Sequence, residues 1–237
     1  MAEALMAATT NRLLSLLNSD ERERLLPDMR HVTLNQGDVI FREEERINEV
    51  CFPDSGIVSI VCTSEKGESV EIGMVGYEGA AGLSVVLGEG FARNRRAVVQ
   101  LAGSGRMIGR RALLNEFKRC GPFQGLMLRY AHAYLTTVTQ SVFCQAYHRL
   151  DERLARWLLE CRFRAKADEL RLTHEYLAEM IGVRRAGVTE AMADLVTKGA
   201  VSQTRGVITI VDRGKLEEAA CECCRIIRSE FEDLFGR

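Results

Sequence analysis

Arg184 and Arg185 follow closely on Gly182 in "MIGVRRAGVTEAM". A guanidinium is a planar fork of donors that stays charged, suited to a guanine edge or a phosphate. Thr189 and Glu190 come one helical turn later, Thr173 and His174 open the preceding segment, and Lys198 and Arg205 flank the stretch. Solvated surface charge is the plain alternative for any single arginine. Two adjacent ones at the start of a helix favour anion or base recognition, because the helix dipole leaves that end positive. A second set of reactive side chains is "CECC", with Cys221, Cys223 and Cys224. This spacing is tighter than that of zinc fingers. Helical geometry puts Cys221 and Cys224 on one face and Cys223 on another, so a structural helix is expected, with redox or metal sensing as the alternative. His31, His132, His148 and His174 are widely separated and offer no recognisable ligand spacing.

The elements that must carry the arginines read clearly. Thr173 is an N-cap, with His174, Glu175 and Tyr176 in the first turn. Leu177, Met180 and Ile181 form the inner face of that helix, and Gly182 supplies the left-handed turn that ends it. A second helix begins near Arg184 and buries Val188, Met192 and either Leu195 or Val196. "VSQTRGVITIVD" then reads as a β-hairpin turning near Arg205-Gly206. Two helices across a glycine turn, followed by a hairpin, make a winged helix-turn-helix, which enters the major groove with the N-terminus of its second helix.

Upstream, Leu128, Ala131, Leu135, Val138, Val142 and Gln145 alternate three- and four-residue steps, a heptad seam that predicts a dimer interface. The helix turns on from Ala112 and is expected to run unbroken through Arg149–Asp151, where the domain boundary falls. From His31, short β-rich runs punctuated by glycine and Asp/Ser/Asn clusters predict a small antiparallel barrel or sandwich. Ser19 is expected to cap a short early helix. The fold class is therefore α+β, with an N-terminal β-barrel over 1–120, a dimerisation helix over 121–150 and the winged helix over 151–237.

Composition limits the functions on offer. The formal net charge of −1 over 237 residues excludes a coat-like polyanion binder, so any nucleic-acid surface must be local. The first residues carry acids and no basic n-region, so no signal peptide is expected, and no apolar run reaches membrane-spanning length. Eight scattered cysteines suit a reducing cytoplasm. No phosphate-binding loop or dinucleotide fingerprint is present, and an enzyme is not expected.

The block "LTHEYLAEMIGV…TEAMADL…GAVSQTRGVITIVD", the helix opening "RLARWLL" and the β-rich first half resemble the Crp/Fnr family of bacterial transcription regulators over nearly the whole chain. The resemblance implies an N-terminal jelly roll of the cyclic-nucleotide-binding type and a homodimer bound to double-stranded DNA. It also implies RNA polymerase as a partner. Cyclic-AMP-binding members carry a Gly-Glu-Leu segment and an Arg-Ser pair; here the matching positions are Gly79 and Ala80, then Arg95 and Arg96, with Val138 and Thr139 where the family places a hydroxyl pair. Alanine cannot accept a ribose hydroxyl, and the loss is worth roughly 1–3 kcal/mol. No cyclic nucleotide is therefore expected as cofactor, although the arginines leave room for a small anionic effector. The iron–sulfur branch uses cysteines ahead of the barrel, and this chain has none before Cys51. Members often show Arg-Glu at Arg185-Ala186 and a second arginine at Glu190; only Arg185 is kept, so the operator should differ. A sensing module whose C-terminal domain docks a protein is the competing reading, separable by salt-sensitive DNA binding.

Overall fold

The structure is a computed structural model that describes residues 9–236; residues 1–8 and 237, which include the start of the acid-bearing N-terminal stretch, lie outside it. Two short helices, α1 (Arg12–Ser15) and α2 (Ser19–Leu25), open the described chain. The cap of α2 is Asn18 and not Ser19. The Asn18 side chain accepts from Glu21 N at 2.9 Å while the Glu21 carboxylate accepts from Asn18 N at 3.2 Å. Asparagine wins because its carbonyl reaches the N3 amide while the acid three residues on closes the reciprocal bond.

Seven strands follow: β1 (Met29–Leu34), β2 (Val39–Phe41), β3 (Glu49–Pro53), β4 (Ile57–Thr63), β5 (Ser69–Val75), β6 (Arg95–Leu101) and β7 (Gly103–Gly109). They form two antiparallel sheets, ordered β1-β7-β3 and β2-β6-β4-β5. A one-turn helix, α3 (Ser84–Leu87), and then α4 (Arg110–Phe117) lead to the long α5 (Pro122–Tyr147). Phe123, Leu126, Met127, Tyr130 and Ala133 bury one face of α5 in the N-terminal core. Its opposite face stays open, with Leu128 47%, Leu135 59% and Val142 67% exposed.

The expected continuous helix is broken. His148 and Arg149 are extended, and a new helix, α6 (Leu150–Ala165), starts after them. The break needs no glycine or proline. Arg149 N donates to the Glu152 carboxylate at 2.9 Å, and Asp151 and Glu152 place acid at the new positive end.

The rest of the chain is β8 (Glu169–Leu170), α7 (His174–Ile181), α8 (Arg185–Thr197), β9 (Val201–Thr204), β10 (Val207–Ile210), α9 (Arg213–Ala219) and α10 (Cys223–Phe235). Apolar residues of α6, α7 and α8 share a core with Ile57, Val61 and Met74 of the strands. Trp157 Nε1 donates to Glu71 Oε1 at 2.8 Å and Ser59 Oγ donates to Oε2 at 2.5 Å. Burial still pushes the Glu71 carboxyl up to about 7. The last helix leaves the C-terminal unit. Ile227, Phe231 and Leu234 of α10 join the core built on Leu13, Phe123 and Tyr130. The fold is thus α+β as expected, but α10 belongs by packing to the N-terminal half.

Candidate nucleic-acid interface

Thr173 caps α7 as its position predicts, its hydroxyl accepting from Tyr176 N at 3.2 Å. Gly182 ends the helix at φ 71° and ψ 47°, and an added Cβ would come 3.1 Å from Val70. The left-handed turn and the tight approach both call for glycine. Arg184 is the N-cap of α8 and Arg185 its first residue. Val188, Met192 and Leu195 are buried, whereas Val196 is 42% exposed. In the wing, β9 pairs with β10 around Arg205 and Gly206, and β8 adds a third strand beside β10 that the sequence did not suggest.

His174 knits the three pieces together. Its Nδ1 lies 3.0 Å from Thr189 Oγ1 of α8, and its Nε2 lies 2.7 Å from Gln203 Nε2 of β9. Thr189 Oγ1 already donates to Arg185 O at 3.1 Å, so the Nδ1 hydrogen donates to it and Nε2 accepts from the Gln203 amide. The ring therefore braces α7 against α8 and the wing. Two expectations change as a result. Thr189 and His174 spend their polar atoms holding helix to helix and helix to wing. Gln203 joins the site, and its only sequence signal is its place just before the hairpin turn.

Arg184, Arg185 and Glu190 are exposed at the N-terminal end of α8. Arg185 Nε sits 3.7 Å from Glu175 Oε2, with both side chains mostly in solvent, a pair worth about 0–1 kcal/mol and easily given up. Arg184 also borders a cleft of about 910 Å³ between the turn, the β4–β5 hairpin and α5. Arg205 is exposed at the wing tip. Lys198 lies at the far end of α8, about 20 Å from Arg185 by helical rise, with Nζ 3.6 Å from Asp151 Oδ2. It is not brought to the same end as the two arginines.

The effector residues separate into two groups. Ala80 and Arg95 line one cavity of about 50 Å³ with Ser84 and Tyr134. Tyr130 Oη donates to Ala80 O at 3.2 Å, and a Cβ on Gly79 would meet that hydroxyl oxygen at 2.4 Å, so the segment is sealed under α5. Arg96 turns away, donating to Thr63 Oγ1 at 3.0 Å and pairing with Glu43 at 3.5 Å and Glu179 at 3.3 Å. Val138 borders the large cleft instead, and Thr139 Oγ1 donates back to the Leu135 carbonyl at 3.1 Å. Val138 is half-buried there, whereas Thr139 is exposed on α5. Within the expected seam, Gln145 is also engaged at home. Its Nε2 donates to Ile181 O at 3.0 Å and its Oε1 accepts from Arg153.

The cysteines contradict the expected faces. Cys221 precedes α10, so it and Cys223 both meet Cys144, while Cys224 packs on the core around α6. His148, which had no ligand partner in the sequence, joins them. One ligand atom from each of Cys144, His148, Cys221 and Cys223 lies within 4.8 Å of all the others.

Residues 152–219 match the family described as the Crp-like helix-turn-helix domain. By this match the segment is similar to a Crp-like helix-turn-helix domain. It starts at the second residue past the Arg149–Leu150 joint and stops before α10, which is an addition to it. Over about four fifths of its length the chain has the fold of solved Crp/Fnr regulators. FixK2 from Bradyrhizobium japonicum superposes with a TM-score of 0.69 at 18% identity, covering 81% of this chain and 98% of that one. The c-di-GMP-responsive global regulator CLP of Xanthomonas campestris gives 0.66 at 17%, covering 82% and 100%. A Crp/Fnr-family transcriptional regulator from Thermus thermophilus gives 0.63 at 22%, covering 81% and 98%. No curated protein sequence matches the chain significantly. Among the described residues no helix is long and apolar enough to cross a membrane.

Proposed function

We propose that the chain is a DNA-binding transcription regulator of the Crp/Fnr type. It acts in the cytoplasm as a homodimer on a palindromic operator, carries no enzymatic activity, and works with RNA polymerase as its partner. The observation that carries this reading is the exposed Arg184-Arg185 pair at the N-terminus of α8, in a Crp-like domain whose wing and helices are braced through His174. A two-fold dimer would set its two α8 helices about 34–36 Å apart, one turn of duplex DNA.

Arg184 is the extended N-cap and Arg185 the first helical residue, so their side chains leave the backbone in different directions and do different work. Arg185 reads a guanine and Arg184 meets the phosphate backbone. Arg185→Ala is expected to relax sequence preference by roughly 1–3 kcal/mol, while Arg184→Ala weakens all sequences alike and lowers the salt slope by about one. Gel-shift titrations on genomically footprinted sites and scrambled duplexes at several salt concentrations read both quantities. An unchanged operator-to-scrambled ratio in Arg185→Ala would show that this helix is not in the groove.

Cyclic nucleotides are not the effector in this reading. What supports it is Ala80 in place of an acceptor and a cavity of about 50 Å³ beside Arg95, against the 300 Å³ or so of the smaller ligand pockets. Titration calorimetry is expected to give no micromolar binding of cyclic AMP or cyclic GMP. A dissociation constant at or below that level for either nucleotide would sink the claim.

A further inference from the structure

Three buried thiols and one imidazole converge where α5 ends, where α6 begins and where α9 turns into α10. Cys144 Sγ lies 3.5 Å from Cys221 Sγ, and Cys223 Sγ lies 3.6 Å from His148 Nδ1. Cys144 and Cys223 are fully buried, Cys221 nearly so, and the His148 ring is only slightly open to solvent. Buried cysteines usually serve as small apolar fillers. Here they form a cluster of their own, apart from the three larger apolar cores.

We infer that Cys144, His148, Cys221 and Cys223 are the ligands of a mononuclear, tetrahedral metal site for a soft divalent ion of the zinc class. A tetrahedron with metal–sulfur bonds of about 2.3 Å and a metal–nitrogen bond of about 2.0 Å has edges of roughly 3.4–3.8 Å. The two short separations match those edges, and none of the others exceeds 4.8 Å. An iron–sulfur cluster seats its thiolates on different irons and needs a wider spread.

The surroundings suit a bound cation. His148 Nε2 is 3.3 Å from the Glu222 carboxylate, so Nε2–H donates outward and the Nδ1 lone pair faces the thiols. A carboxylate behind a ligating histidine is the usual way a protein fixes its tautomer and raises its basicity. Three thiolates around a divalent ion leave one negative charge. The buried guanidinium of Arg156 lies against Cys144 and feels the charge of both Cys144 and Cys221.

The position gives the site a structural consequence. It fastens the last turn of α5 and the extended His148 to the segment leading into α10, across the joint that orients the Crp-like domain. Metal binding itself does not rest on the DNA-binding reading.

The test uses the full chain, reduced, stripped with a chelator and titrated with Co²⁺ and then Zn²⁺. One Co²⁺ per chain is expected, with the intense visible bands of tetrahedral thiolate coordination, and Zn²⁺ should displace it. Glu222→Gln, at an exposed position, should weaken Co²⁺ binding roughly 10–100-fold without unfolding the protein. Cys221→Ser should lower it at least as far, and Cys224→Ser should leave it unchanged. No Co²⁺ uptake, a weak octahedral spectrum, or wild-type affinity in Cys221→Ser would overturn the site. Should Cys221→Ser fail to fold, wild-type affinity in Glu222→Gln would overturn it instead. A metal-free Cys144–Cys221 disulfide whose reduction restores no Co²⁺ binding would do the same.

Discussion

Arg164→Met is expected to lower the unfolding free energy by about 3–5 kcal/mol. Arg164 sits on α6 with its side chain 1% exposed, and its Nε donates to Glu78 Oε1 at 2.8 Å. Glu78, equally buried, lies on the loop after β5, so the bond joins the two halves of the chain. Its Oε1 also accepts from Gly76 N at 3.1 Å, and Arg164 Nη1 lies 3.4 Å from Glu160 Oε2. A methionine fills the volume but leaves the Glu78 carboxylate in the interior without a counter-charge. That orphaned charge, more than the lost attraction, dominates the cost. Adding Glu78→Gln should recover most of it, because Glu160 still has Arg156. Urea unfolding of the single and double variants measures both numbers. A cost below about 1 kcal/mol for the single variant would mean that Glu78 finds water or another cation there.

The second large effect concerns assembly. Leu135→Lys combined with Val138→Lys should convert a dimer into a monomer at micromolar concentration. Leu128, Leu135 and Val142 stand exposed on the face of α5 turned away from its own core, and Phe143 and Tyr147 extend the apolar stripe toward the joint. The two aromatic rings meet at a tilt of 34°, 4.9 Å between centroids. A monomer would leave this stripe in water, and in the proposed homodimer a second copy of α5 would bury it by the heptad rule. Four lysines in the two-fold seam should cost at least about 4 kcal/mol, a roughly thousandfold rise in dissociation constant. Sedimentation velocity decides the matter. A double variant that sediments as the wild type does would place the interface elsewhere.

Much of this architecture could be read from periodicity. The helix-turn-helix was legible because Leu177, Met180, Ile181, Val188 and Met192 repeat at helical spacing around a glycine that only a left-handed turn explains. The break at His148 was not, since no glycine or proline marks it. Its signal was the acidic pair Asp151-Glu152, a helix start in the middle of a helical pattern. Val138 and Thr139 were assigned by analogy to the Arg95 pocket; Val138 borders the larger cleft, while Thr139 is exposed. The thiol–imidazole group was half visible, as Cys144 and His148 one turn apart. Its other half lies 77 residues further on, and nothing local reports a contact of that length. The same holds for α10: the cysteine spacing suggested a structural helix but gave no hint of which core it completes.

That last packing arrangement bears on how the protein is made. Arg12 stacks its guanidinium 3.9 Å over the ring of Phe235, joining residues at opposite ends of the sequence. Domains commonly fold in order as they leave the ribosome, N-terminal first. Here the first core to emerge stays unfinished until Ile227, Phe231 and Leu234 have been synthesised, because they are among its walls. The nascent N-terminal half therefore waits with an apolar groove open until the helix-turn-helix segment and α10 have followed it. Closing it means closing a loop nearly as long as the chain, which makes that step late and slow. A stop codon before Cys223 would leave the Crp-like domain whole and strip its distant neighbour of a wall, so truncation damage should surface first in the half that was not truncated.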